Sequence, residues 1–342
     1  MMPQSIVDYV DIAINDMTPS LRDELTETCS YIFSTPDFVE FYSPKPATHL
    51  RLSRFSTGEI SYYFFYLKEG DKSVVFGPVN LGKSILVDLP KSLGCRQVNI
   101  IRMIELPSYL KLPLFRVSVN IMTNNMIIKL PNNKTDYLHS LGSHYKKNLP
   151  KYFRRIQNKY GFGFKCCIYK NEEISKDIFN KLVEFNKLRI QEKGGCSLLS
   201  DDLTHRRWLM SQRSGVFCGL YNEDQLLGGA VAYLHKNVAY DAIVAHNPDY
   251  NELRIGLLSN WMLINYFIDN KVEEFHLLWG KSIWKERFGA YETFLNEVII
   301  YDKILNKYIA IFKKSRLFIK AIGIKYVSYI ISRLTNVNRF KH

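Results

Sequence analysis

No two cysteines in this chain are spaced as C-x-x-C, and none of the six (Cys29, Cys95, Cys166, Cys167, Cys196, Cys218) stands at a zinc-ligand spacing from a histidine. That argues against a zinc ribbon and a disulfide-stapled scaffold, and fits reduced thiols in a cytoplasmic protein. Nowhere do eighteen uncharged apolar residues run together, so no spanning helix is expected. The N-terminal MMPQSIVDYVDIAINDM lacks a basic segment followed by an apolar one, so no secretory signal is expected either. Short-period repeats and low-complexity tracts are also missing. Acidic residues are absent from Tyr137 to Lys170, which holds eight Lys or Arg, and only Asp302 opposes the ten Lys or Arg of Tyr301–His342. The net charge of +13 therefore resides in two segments, which points to two anion-facing surfaces.

What is present can fill a core: 46% of residues are hydrophobic, with 21 Phe, 22 Tyr and 4 Trp. Such a composition is incompatible with global disorder, and 342 residues make one large domain or two medium ones. Residues 1–45 read as an acidic helical lead-in broken by Pro19 and Pro36. From His49 the segments LRLSRF, EISYYFFYL and KSVVFG alternate with turn residues and predict an antiparallel meander. SILVDLPKSLG reads as a short helix, then QVNIIRMI, LFRVSVNIM and MIIKL as strands. The polar LPNNKTD marks a boundary, giving a first domain over 1–130, a second over 131–300 and a basic tail over 301–342.

In the second half, Asp136 or Ser140 can cap a helix reaching about Tyr160, with Pro150 kinking or restarting it. FKCCIYK reads as a strand, Ser175–Gln191 and DDLTHRRWLMSQRSG as helices. A three-strand meander follows, turning at Asn222–Asp224 and Lys236–Asn237. It feeds Val238–Ala290, which predicts strand, helix and parallel strand: VAYDAIVA, a helix carrying Leu253, Leu257, Trp261, Ile264 and Ile268, and EFHLLWG. Ligands of such units bind at the strands' C-terminal ends, beside the helix N-terminus. The fold class is α/β (α+β), with mixed, mostly antiparallel sheet and flanking helices.

Taken together, MIIKLPNNKTDYLHSLGSHYKKNLPKYFRRIQNKYG, FNKLRIQEKGG with SLLSDD, QLLGGAVAYLHKNVAYDAIVAHNP and LLWGKSIWKERFGA resemble the GNAT-type acyltransferases of the CelD-like and BioF2-like group, which are related to FemAB transferases. The likeness runs from about Met126 to Ala290, and VVFGPV resembles the GPV turn of the first FemAB repeat. It implies two GNAT-like lobes, the first degenerate, and splayed strands at Val238–Ala245 and Phe275–Gly280 that admit an acyl donor, acetyl-CoA or another acyl-CoA. Its pyrophosphate falls to Arg254, Ile255, Gly256 and Leu257, where only one glycine of the usual loop remains, with Trp279 and Gly280 beside the donor. The resemblance further implies N- or O-acyl transfer to a cell-envelope sugar or lipid-linked glycan precursor. An aminoacyl-tRNA donor is the FemAB alternative.

Acyl transfer needs a base. Asp241 stands mid-strand in an apolar run, where an ionised carboxylate is costly unless used or paired, and is the first candidate. His235 and His246 flank the strand, and Glu192 follows a helix that can reach the cleft. The resemblance to FemAB-like proteins implies that Lys146, Lys147, Arg154 and Arg155 on the basic helix clamp a sugar phosphate of the acceptor; by charge alone a solvated face fits equally. Trp284 is a candidate acceptor platform, and Lys285 a charge able to neutralise a phosphate. The aromatics of the basic helix follow the core period, which counts against nucleic acid. In the tail, IAIFKKSRLFIKAIGIKYVSYIISRL mixes basic and apolar residues at near-helical spacing, as in peripheral helices on an anionic inner membrane face or a docked helix. Two readings of other classes stay open: a catalytically inactive scaffold, and a P-loop at Gly77–Ser84, which satisfies G-x-x-x-x-G-K-S but lies in an expected meander and carries Pro78.

Overall fold

The computed structural model describes residues 9–42, 50–57, 60–76, 83–104, 106 and 116–303. Twelve strands form one sheet in the order β1-β2-β3-β4-β5-β12-β6-β11-β10-β9-β8-β7. The strands are β1 (Tyr9–Ala13), β2 (Leu50–Thr57), β3 (Ile60–Glu69), β4 (Lys72–Phe76), β5 (Gln97–Met103), β6 (Val117–Lys129), β7 (Phe164–Lys170), β8 (Gly215–Asn222), β9 (Gln225–His235), β10 (Val238–His246), β11 (Glu274–Trp279) and β12 (Tyr291–Tyr301). Nine α-helices are described: α1 (Pro19–Thr28), α2 (Pro36–Tyr42), α3 (Lys83–Ser92), α4 (Lys134–Ser140), α5 (Ser143–Tyr160), α6 (Lys176–Glu192), α7 (Asp201–Ser214), α8 (Ile255–Asp269) and α9 (Ile283–Arg287). The expected mixed α/β class is what the chain adopts.

Alternation along the strands builds two cores. Val216, Cys218, Ala230, Ala232 and Ala239 turn to one face, where α4, α5 and α8 pack through Tyr137, Leu149, Ile156, Leu258 and Phe267. Phe217, Val231, Tyr233, Tyr240 and Ile243 turn to the other, beneath α2, α6 and α7. Residues one apart thus serve opposite faces, as the two-residue strand period requires.

Several local expectations change. Pro19 and Pro36 each open a helix, α1 and α2, because an N-terminal turn has no use for the missing N–H. Val117–Met122 and Met126–Lys129, expected in two separate strands, belong to one strand, β6, since no Pro or Gly separates them. The helix expected from Asp136 to Tyr160 is two, capped first by Asn133, whose side chain accepts from the Asp136 N–H; Pro150 lies inside the second. The boundary drawn after residue 130 follows a strand that serves both halves. β6 pairs with β11 through Asn125–Lys129 and with β12 through Val117–Ile127, and β12 returns to pair with β5.

The antiparallel meander expected upstream of the P-loop-like match is present, β2, β3 and β4 pairing in turn, but it leads into a parallel step. β4 and β5 are parallel and α3 lies between them in sequence, a strand–helix–strand unit. Gly77–Gly82 themselves, like the basic tail from residue 304, lie outside the described residues. Among the described residues, no helix is long and apolar enough to cross a membrane.

Candidate functional site

The parallel pair β10–β11 repeats the β4–β5 arrangement with one difference. β4 stays paired with β5 along its whole length, Lys72–Phe76 against Gln97–Ile101. β10 pairs with β11 only from Val238 to Tyr240, against Glu274–His276. Past these, β10 continues along β9 and β11 along β6, so the two strands part. Each carries a register shift where they separate, between Asp241 and Ile243 and between His276 and Leu278, and Leu278 takes a left-handed φ of 52°. Bulges bend a strand and re-aim its side chains. The result is a wedge-shaped opening whose apex is Asp241.

Asp241 sits where the last parallel pair ends. Its Oδ1 is sealed from solvent without a hydrogen-bond partner, although the residue keeps part of its surface open. Burial pushes the carboxyl up to about 7, opposed by the positive charge of Lys285 and by the Ala242 N–H. The Lys285 side chain, only 6% exposed, reaches back from α9 to the end of β11. Its Nζ lies 2.8 Å from the Leu277 carbonyl, 3.2 Å from Leu278, 2.8 Å from Trp279 and 3.0 Å from Gly280. Burial lowers its pKa while the Asp241 charge raises it. This ammonium closes the strand end that departs from β10, and Gly280 turns the chain there with φ of 85°.

On the α8 face, the helix N-terminus lies against β10 beyond the parting, at Val244 and His246. Its N-cap, Arg254, is left-handed (φ 58°) and exposed and supplies no side-chain cap. The first backbone bond closing on the helix runs from the Leu258 N–H to the Arg254 carbonyl at 3.1 Å. Ile255, Gly256 and Leu257 thus present the amides that a helix start leaves without intrahelical partners. A Cβ at Gly256 would come within 3.3 Å of His246 Nδ1 and 3.4 Å of Val244, so a larger residue there would oblige these side chains to shift by a few tenths of an ångström. α5 packs beside α8 on this same face. Lys146, Lys147, Arg154 and Arg155 project from it into solvent, and none of them forms an ion pair among the described residues.

On the opposite face lies a stack of rings and guanidinium groups. Arg207 of α7 sits 5.2 Å over Tyr42, Tyr42 stacks on Phe38 at 4.3 Å, and Arg102 of β5 lies 5.4 Å from Phe38 and 5.9 Å from Trp279. The Tyr42 hydroxyl pairs with that of Tyr233 at 3.1 Å and lies in the electrostatic field of Arg207, Arg102 and Asp241. No pattern along the chain marks Arg102, Arg207, Phe38 or Tyr42 as a site residue. The two arginines are far apart in sequence, and the packing of α2 against α7, with Phe38 beside Arg102, sets both against the Phe38–Tyr42 pair.

Residues 143–286 match the family model described as acetyltransferase (GNAT) domain. The fold is GNAT-like. The structure of FemX has a TM-score of 0.65 at 10% identity, covering 88% of this chain and 99% of that one. A conserved protein of unknown function from Bacteroides thetaiotaomicron gives 0.57 at 11% identity, with 87% and 100% covered. L-PGS from Bacillus licheniformis gives 0.53 at 10%, with 84% and 92% covered. No curated protein matches the sequence.

Within this GNAT-like frame the sequence-derived candidates separate. Asp241, Lys285, Gly280 and Trp279 gather at the wedge, and Arg254–Leu257 form the helix start on the α8 face. His235 does not join them: its Nε2 sits 2.9 Å from the Cys29 carbonyl, at the hairpin end of β9, and burial lowers its pKa. Glu192 ends α6 exposed, acting on His246 at the open end of β10 rather than on Asp241. Trp284 is half-buried against the core, edge-on to Phe288 at 6.1 Å between ring centres. Lys285 is engaged by carbonyls, which leaves it unsuited to hold a phosphate. The basic helix lies on the α8 face, away from the guanidinium stack.

Proposed function

We propose that the chain is an acyltransferase in which an acyl group passes through the wedge between β10 and β11 to an amine or hydroxyl acceptor. The observation that carries this reading is the parting of two parallel strands at a buried carboxylate. An extended donor arm can fill the gap by bonding to the strand edges that the separation leaves unpaired. The α8 amides suit the pyrophosphate of an acyl-CoA. From the opposite face the acceptor meets Asp241. Its carboxylate, poised near neutrality, takes the proton as the acceptor nitrogen or oxygen attacks the donor carbonyl, and the thiolate leaves. Lys285 keeps the end of β11 fixed while this happens. A cell-envelope sugar or its lipid-linked precursor is the acceptor class supported by the CelD-like resemblance.

A second reading places an aminoacyl-tRNA at the same wedge. It is favoured by the position of α5, whose unpaired cations extend the α8 face for a polyanion, and by the single glycine in Arg254–Leu257. Direct binding of acetyl-CoA, longer acyl-CoAs and aminoacyl-tRNA to the full chain separates the two. With the donor that binds, Asp241→Asn should retain donor affinity and lose roughly 10²–10⁴-fold in kcat, the range of general-base removal. Turnover equal to wild type would remove Asp241 from the mechanism.

A further inference from the structure

The stack facing the wedge contains two cations that no carboxylate among the described residues neutralises. Arg102 Nη1 and Arg207 Nε are both buried without a hydrogen-bond partner, and neither guanidinium has a carboxylate within ion-pair distance among the described residues. Arg102 is held at φ of 61°, in a backbone region that non-glycine residues seldom occupy. Burial lowers its pKa, with only the Tyr42 hydroxyl in support. Two other arginines are paired: Arg22 meets Asp37 and Glu40 at 2.7 Å each, and Arg206 meets Asp202 at 3.0 Å, while Arg189 Nε shares the unpartnered burial. A buried guanidinium left unpaired is costly, and it persists where a ligand supplies the missing charge. Phe38 and Trp279 lie against Arg102 and Tyr42 against Arg207, so both guanidinium groups keep N–H donors with no acceptor in the described protein.

We propose that Arg102 and Arg207 bind an anionic group, carboxylate or phosphate, carried by the acceptor close to the amine or hydroxyl that Asp241 deprotonates. The proposal rests on the acyl-transfer reading for its choice of molecule, but the anion site itself does not. Tyr42 links the two arginines and Asp241 in one field, so charge and nucleophile of a single small acceptor can be read together. One arginine comes from the first lobe and one from the second. Acceptor recognition therefore requires both halves of the sheet, although the wedge belongs to one.

The test is calorimetric titration of the full chain with inorganic phosphate and, separately, with acetate, at constant ionic strength. Saturable binding of one anion is expected. Arg102→Gln and Arg207→Gln should each weaken it roughly 10–100-fold, the worth of a charge-assisted hydrogen bond. Arg213→Gln, on the exposed end of α7, should leave it unchanged. The anion that binds distinguishes a phosphorylated from a carboxylated acceptor. Absence of binding by both anions, or equal binding by wild type and both glutamine variants, would overturn the proposal. If a glutamine variant fails to fold, Arg102→Lys and Arg207→Lys keep the charge and should retain weakened binding; unchanged affinity in them counts against the site. Donor binding is measured on the same samples. A chain that binds donor but no anion loses this inference alone, and one that binds anion but no donor loses the transferase reading alone.

Discussion

Asp241 shows how one residue couples chemistry to stability. Its carboxyl titrates at about 7 in the folded chain against an ordinary value of 3.8, so between these limits the folded state holds a proton that the unfolded state has released. Stability contributed by the neutral form is present at low pH and falls as pH rises from about 4 through about 7. Asp241→Asn removes the buried charge. Its melting temperature should exceed wild type by a few degrees at pH 8 and match it near pH 4, as read by calorimetry. A base of this pKa also gives kcat/KM an acidic limb centred near 7. An unchanged difference in melting temperature across that range would mean that the carboxyl is not desolvated as described.

At the scale of elements, the end of β11 and the outer face of α5 make opposite demands. The Lys285 ammonium shares its three N–H donors among four nearby carbonyls, so Lys285→Met leaves them without it and removes the positive charge that restrains Asp241. A loss of about 2–4 kcal/mol is expected from urea unfolding, together with an upward shift of the acidic limb. α5 tolerates change because its cations are solvated. The combined Lys146→Gln, Lys147→Gln, Arg154→Gln and Arg155→Gln variant should unfold within about 0.5 kcal/mol of wild type. If the donor is an aminoacyl-tRNA, the same variant should bind it more weakly, with a shallower salt dependence. Unchanged tRNA affinity would detach α5 from donor binding.

For the whole molecule, the consequence lies in β6 and β12. β6 carries the second half's β11 on one edge and β12 on the other, and β12 joins β5 of the first half. A chain cut at residue 130 leaves an unpaired central strand edge on each piece, a hazard for aggregation. Scanning calorimetry should show one transition for the intact chain, and residues 131–303 expressed alone should be insoluble or unstable. Two separate transitions would show that the halves fold independently despite the shared sheet.

Much of the second half is legible in the amino-acid order. Val238–His246, α8 and β11 follow from alternation, helical spacing and the breaks at Pro248 and Gly280, and Asp241 stands out as a carboxylate in an apolar strand. Such signals are local, which is why they survive in one dimension. Residues whose role depends on direction are not legible in the same way. His235 is near Asp241 along the chain, yet its ring is spent on the Cys29 carbonyl. The basic segment forms the helix its spacing predicts, but it lies on the other side of the sheet from the guanidinium stack.

The sequence by itself determined the class of element at most positions, the two basic segments and the carboxylate in an apolar strand, because periodicity, charge and turn chemistry act over a few residues. Only the tertiary structure decided that β10 and β11 part at Asp241, that Lys285 turns inward, and that Arg102 and Arg207 lie against the Phe38–Tyr42 pair. Each of those depends on which strand is a neighbour and where a bulge shifts the register, and neither pairing nor register is encoded within the reach of a local pattern.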